Sequence, residues 1–321
     1  MTTTTAGITP PAIQHDKPIA RARRVRNGAW WAGCTLALLL VVAPVVWILE
    51  GVVEHAVAGW KWDVLWTTST GIGGGLANAI VGTFVIMIGV ALVAGSLGIG
   101  AGIYLVEFSH PGIVQTVLRS ATEILAGVPS IVFGYCGYLA LVIGLHWGFS
   151  LLPAVIVLSL LVTPYVSKST ELALGQVPVA NREGGEALGM RKTYVLRRVV
   201  FRAALPGILT GLIIALAISA GETAPLIYTA GFSNLYPSGA LIHSQVGYLT
   251  YAAYAFYDEP SATAQALSRD ASLLLVLLVL ALILSARLAV RVTQRFSPNR
   301  SASRPRRGRR RGAVDGAAAV R

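Results

Sequence analysis

The chain repeats one element, an apolar run of about 20 residues, which is the length a helix needs to cross some 30 Å of hydrocarbon. Six such runs cover roughly residues 29–49, 76–97, 122–145, 150–167, 206–230 and 271–291. Runs of this length leave few folds open. In lipid every backbone N–H and C=O must be satisfied inside a helix or a closed barrel. Composition agrees: 55% of the 321 residues are apolar and only 12% charged, far from the balance of a soluble domain. The expectation is an all-α, multi-pass protein of the cytoplasmic membrane with six transmembrane helices. Residues 1–28 are polar and end near "RARRVRN", and no small-residue cleavage site follows the first apolar run. The first helix is therefore expected to stay as an anchor rather than leave as a signal peptide.

A net charge of +12 would suggest nucleic acid as the partner of a soluble protein. Here the excess sits at the two ends and in one central loop, which points instead to topology and to anionic membrane lipids. With the N-terminus inside, six crossings bring the C-terminus back to the cytoplasm, and segments 98–121 and 168–205 lie inside with it. Those segments hold Lys17, Arg21, Arg23, Arg24, Arg26, Arg119, Lys168, Arg182, Arg191, Lys192, Arg197, Arg198 and Arg202, whereas the outside loops hold Lys61 and Arg269. The bias predicts cytoplasmic termini. The tail 292–321, dense in Arg, Ser, Pro and Gly, is expected to be disordered and to contact lipid. Cys34 and Cys136 lie far apart in apolar runs, so neither a disulfide nor a metal site is expected, and the five histidines form no ligand cluster.

Loop 168–205 is longer than a helix connection needs to be. It carries two helical patterns, "NREGGEALG" and "KTYVLRRVVF", separated at Gly189. In the second, Val195, Leu196, Val199 and Val200 recur at helical spacing and the basic residues fall largely elsewhere, giving an amphipathic helix. Such a helix suits a membrane surface or a groove on a cytoplasmic partner.

The fifth run contains an ionisable residue. In "GLIIALAISAGETAPLIYTAG", Glu222 follows Gly221 and precedes Thr223 and Pro225. A helix starting near Pro206 puts Glu222 roughly 24 Å along its axis. Pro225 has no N–H and Gly221 adds backbone freedom, so the helix is weakest where the acid sits. Weak backbone and an acid at depth point to a solute pathway or its gate; the alternative is a structural carboxyl bonded to a neighbouring helix. Elsewhere, Pro129 and Ser130 are expected to kink the third span, with Ala126, Gly127 and Gly134 allowing close packing. Arg119 and Glu123, four apart, are expected to pair. Pro164, Lys168 and Glu171 mark the exit of the fourth span. The Tyr-rich stretch 231–270 suits the outer interface or contact with an extracytoplasmic protein.

The loop also resembles a known family. Glu183, Gly184, Gly185, Ala187, Gly189 and Met190 stand where permeases of ABC importers carry their coupling motif, Glu-Ala-Ala, three residues, Gly, nine residues, then aliphatic-x-Leu-Pro. Glu183 and Gly189 match, Gly184 and Gly185 replace the alanines, and Phe201 and Arg202 replace Leu-Pro. Segments Gly74–Ser109, "QVPVANREGGEALG", "LAGVPSIVFG" and Ala204–Gly231 are similar to the PstA family, the permease subunits of phosphate importers. The resemblance implies the type I permease fold and transport of phosphate by alternating access. It implies as partners a second permease subunit of the PstC type, two ATPase subunits of the PstB type and a phosphate-binding protein of the PstS type. Where that family commonly carries an arginine, four residues before the Gly-Glu-Thr glutamate, this chain has Ile218. The departure leaves three accounts open: a cation from the partner permease, a protonated or cross-paired glutamate, or another solute.

No "GxxxxGK" loop occurs, so ATP is expected to be bound and hydrolysed by the partner ATPase, with no cofactor here. Three function classes follow. They are a phosphate importer's permease, an ABC permease for another oxyanion or small solute, and a membrane enzyme or ion-conducting protein. The last would need convergent nucleophile or acid/base groups that the spans do not offer, so no enzyme is expected.

Overall fold

The structure is a computed structural model that describes residues 21–71 and 73–295. Most of the N-terminal basic segment and the Arg-rich tail from residue 296 lie outside the described residues, and with them the expectation of a disordered tail. The chain divides into two units, Met1–Gly59 and Trp60–Arg321.

The first unit holds α1 (Arg21–Gly59), which runs through Pro44 and contains all of the predicted first span. Trp30, Trp31, Leu40 and Trp47 are exposed along it. A helix apolar on every side is suited to lipid.

In the second unit α2 (Ala77–Ile103), α5 (Leu151–Gly175) and α8 (Phe201–Gly221) make the centre. Their contact depends on glycine. A Cβ added at Gly89, Gly98 or Gly102 of α2 would stand 2.6 Å from Val155, Val166 or Thr170 of α5. Gly207 and Gly211 of α8 meet Ala173 and Ser169 of α5. Lipid supplies no hydrophobic drive to join two helices, so close backbone approach and dispersion must do it. Val90, Ala94, Leu158, Val162, Val166 and Ala215 fill the resulting core.

The predicted third span, 122–145, is two helices. α3 (Ile113–Gly127) and α4 (Ser130–Gly137), with a π turn over Tyr138–Gly144, meet at 99°. Pro129 drives Val128 out of the helical region, to ψ 130°, so α3 stops at Gly127. α5 extends eight residues beyond the predicted 167 to Gly175, carrying Lys168 and Glu171. α6 (Val179–Ala187) and α7 (Lys192–Val195) follow; a π turn over Leu196–Val200 joins α7 to α8. Then come α9 (Ala224–Thr229), α10 (Leu249–Ala255) and α11 (Ala262–Arg295). Among the described residues five helices are long and apolar enough to span a membrane, and the bent α3–α4 pair makes a sixth candidate.

Two local expectations change. Arg119 pairs with Glu171 of α5 at 2.5 Å, and Lys168 reaches the same carboxylate at 3.0 Å, so the partner of Arg119 is not Glu123. The bend after α3 and the extension of α5 bring the two helices together, which sequence spacing does not reveal. In the stretch 231–270 the tyrosines divide. Tyr248 is fully buried, and Phe232 stacks on Tyr251 at 4.4 Å, whereas Tyr236, Tyr254 and Tyr257 stay exposed. The stretch is pinned to α2: Asn78, itself buried, donates to the carbonyl of Ser233, and Thr83 Oγ1 accepts from the amide of Leu249.

Candidate functional site

Two interruptions of the helical chain hold the predicted site residues, and one helical element joins them. Residues Lys192–Gly221 run as a continuous 30-residue helical segment through Pro206. At about 1.5 Å per residue it is about 45 Å long. The fifth span therefore begins in the loop, well before Pro206.

The first interruption is the turn between α6 and α7. Gly189 has φ +72°, the left-handed region that costs a side chain about 1–2 kcal/mol. Its amide donates to the carbonyl of Glu186 at 2.9 Å, and the Met190 amide donates to that of Gly185 at 3.2 Å. These are the two bonds of a Schellman stop, which closes the last carbonyls of α6 without outside help. Gly185 is buried because a Cβ there would lie 2.6 Å from Val195. Glu183, Gly184, Ala187, Gly189 and Met190 are exposed, and so are the apolar Val179, Leu188 and Tyr194 beside them.

Sequence reasoning missed what anchors this turn. Arg182, next to Glu183, donates to Glu107 Oε1 at 2.9 Å and to the carbonyls of Leu174 and Val177 at 3.0 and 3.1 Å. Glu107 is only 7% exposed, so the pair is largely withdrawn from solvent. Lys192 Nζ donates to the Glu107 carbonyl at 2.7 Å and sits over the Phe108 ring. One guanidinium thus ties α6 to the end of α5 and to the π turn Tyr104–Phe108 that closes α2. The two residues are 75 apart in sequence, so no spacing rule pairs them.

The second interruption is the break at Glu222. Gly221 ends α8, Glu222 is extended at ψ 126°, and Thr223 starts α9 by accepting at its carbonyl from the Ile227 amide at 3.1 Å. Pro225 lies in the first turn of α9, where its missing N–H costs nothing. The predicted weak helix is thus a complete break. Gly221 is exposed, Glu222 and Thr223 are half-buried, and Pro225 is buried. The Glu222 carbonyl, freed by the break, accepts from Thr250 Oγ1 of α10 at 3.1 Å. Gly134 of α4 faces the same point: a Cβ there would be 2.7 Å from Pro225 Cα. Among the described residues the Glu222 carboxylate has no hydrogen bond or ion pair. Ile218, one turn earlier, packs against the central apolar core. The two sets of site residues thus lie at opposite ends of one segment and do not meet.

An exposed glycine turn thus precedes the helical segment Lys192–Gly221 and a complete break follows it. Residues 96–297 match the family described as the binding-protein-dependent transport system inner membrane component. The phosphate transport system permease protein PstA 2 of Mycobacterium bovis is 51% identical over 261 residues, which are 81% of this chain and 86% of that protein. PstA of Yersinia pestis is 34% identical over 276 residues, covering 83% and 92%. An inward-facing structure of the MetNI methionine ABC transporter shares the fold, with TM-score 0.53 over 73% of this chain and 99% of that one at 18% identity. The chain belongs to the inner-membrane components of binding-protein-dependent transport systems and, among them, to the PstA family of phosphate permeases, as multi-pass proteins of the cytoplasmic membrane.

Proposed function

We infer that the chain is the transmembrane subunit of an ATP-driven importer that carries inorganic phosphate across the cytoplasmic membrane. The observation that carries this is the 51% identity to a PstA permease over four fifths of the chain, which includes both interruptions. We count the bent α3–α4 pair as one crossing, which returns both termini to the cytoplasm in agreement with the Lys and Arg distribution. The exposed Val179, Leu188, Met190 and Tyr194 around the Gly189 turn fit a groove on a partner ATPase. ATP is bound and hydrolysed there, since this chain supplies no phosphate-cradling loop. A second, PstC-like permease completes the pathway, two PstB-like ATPases drive it and a PstS-like protein delivers phosphate from outside.

The mechanism follows from the joined element. Closure of the ATPases displaces the turn, the helix Lys192–Gly221 transmits the movement, and the break at Gly221, Glu222, Thr223 and Pro225 opens or closes to solute by alternating access. A lone carboxylate repels phosphate. With Ile218 packed against the core, the compensating cation comes from the second permease. Labelled phosphate uptake in cells carrying Glu222→Gln tests the gate: a loss of about tenfold or more supports it, and unimpaired uptake removes Glu222 from the mechanism. Arsenate and sulfate as competitors test the solute. Competition by arsenate alone is expected, and inhibition by sulfate would favour a broader oxyanion permease.

A further inference from the structure

α8 and α11 are in contact along much of their length, yet they part near the end of α11 to leave a groove of about 380 Å³. Thr210 and Ile214 of α8 line one wall, and Ile283, Ala286, Arg287, Val290 and Arg291 of α11 the other. The groove has two chemically different parts. Ile214, Ile283 and Val290 give an apolar channel, and the exposed Arg287 and Arg291, one turn apart on the same helical face, give a double positive charge at its end. Thr210 Oγ1 already donates to the Pro206 carbonyl at 2.7 Å, so the guanidinium groups are what the groove offers a polar ligand. Among the described residues no carboxylate forms an ion pair with either arginine.

We propose that this groove binds one anionic phospholipid of the cytoplasmic leaflet, its phosphate held by Arg287 and Arg291 and an acyl chain laid along Ile214, Ile283 and Val290. The leaflet rests on the topology proposed above. Arg287 follows directly on the apolar stretch 271–286, so both arginines sit where a headgroup sits. Basic pockets between spans on the cytoplasmic side are suited to anionic headgroups. Free inorganic phosphate satisfies the two charges but leaves the apolar wall bare. An apolar helix of a partner fills the wall but leaves two arginines without counter-charge. A lipid phosphate diester with its chains answers both.

The test uses the complex purified through this chain, reconstituted in phosphatidylcholine vesicles with a trace of photoactivatable phosphatidylglycerol, and peptide mapping of the cross-links. Labelling is expected on segments 210–214 and 283–291, with competition by unlabelled phosphatidylglycerol but not by phosphatidylcholine or inorganic phosphate. Arg287→Gln and Arg291→Gln should each reduce labelling about fivefold, as expected for one cationic side chain at an anionic surface. The Arg287→Lys/Arg291→Lys double variant should retain most of it, which separates charge from misfolding. Equal labelling by a phosphatidylcholine probe, protection by inorganic phosphate, or no labelling of either segment overturns the proposal. Phosphate uptake measured in the same vesicles reports separately on the importer assignment.

Discussion

The chain interrupts its helices in two ways at the two ends of a single helical element. At Gly189 the interruption closes on itself: two local backbone bonds and one left-handed glycine end α6, and the residues around it face outward. At Glu222 a single local bond, from its amide to the Ser219 carbonyl at 3.3 Å, ends α8, and the rest of the break is held from outside. Its freed carbonyl depends on Thr250 from α10, and its backbone is packed from the side by Gly134 of α4. Under the proposed function the difference suits two tasks: an end that docks is complete before its partner arrives, and an end that opens is held by neighbours that can move away.

The largest expected effect lies at the Gly189 end. Arg182→Ala removes the ion-pair partner of the Glu107 carboxylate, whose side chain is 7% exposed, and losing one partner of such a pair costs about 3–5 kcal/mol. Thermal unfolding of the purified complex should show a marked drop, and the Arg182→Gln/Glu107→Gln double variant should lose less than the two single losses combined. At the Glu222 end, Gly134→Val drives side-chain atoms into Pro225, an overpacking worth about 1–3 kcal/mol. Uptake should fall there while the ATPase still co-purifies, and loss of the ATPase would show that the two ends are not separate in task. Gly189→Ala keeps the fold of the bundle but strains the turn by about 1–2 kcal/mol. It should reduce co-purifying ATPase, with Gly189→Asn intermediate because Asn tolerates the left-handed region. The smallest effect is Thr250→Val, which removes one hydrogen bond at the break, about 1 kcal/mol or less. A small change in unfolding temperature with a larger change in uptake rate would confirm that this bond gates movement; equal small changes would make it a simple strut.

Much of this was legible because it is local. The apolar runs mark α1, α2, α5, α8 and α11, since each span must satisfy its own backbone. Gly189 is readable as a helix stop, and Gly221, Glu222 and Pro225 as a weak point, since both depend on residues within one turn. The rest depended on distance in sequence. Pro129 signalled a kink, but the 99° bend follows from how α4 packs beside α9. Arg119 has an acid four residues on, yet the bend carries it to Glu171 instead. Arg182 was visible only as one charge among many, because Glu107 lies 75 residues away.

What the sequence alone determined is the solvent, the apolar cores of the long helices, and the two points where helices must end, all set by backbone chemistry and chain-local sterics. Only the tertiary structure decided what those ends touch. The Glu107–Arg182 pair, the contact of Gly134 with Pro225 and the packing of Ile218 against the core join segments distant in sequence, and such contacts have no periodicity to read.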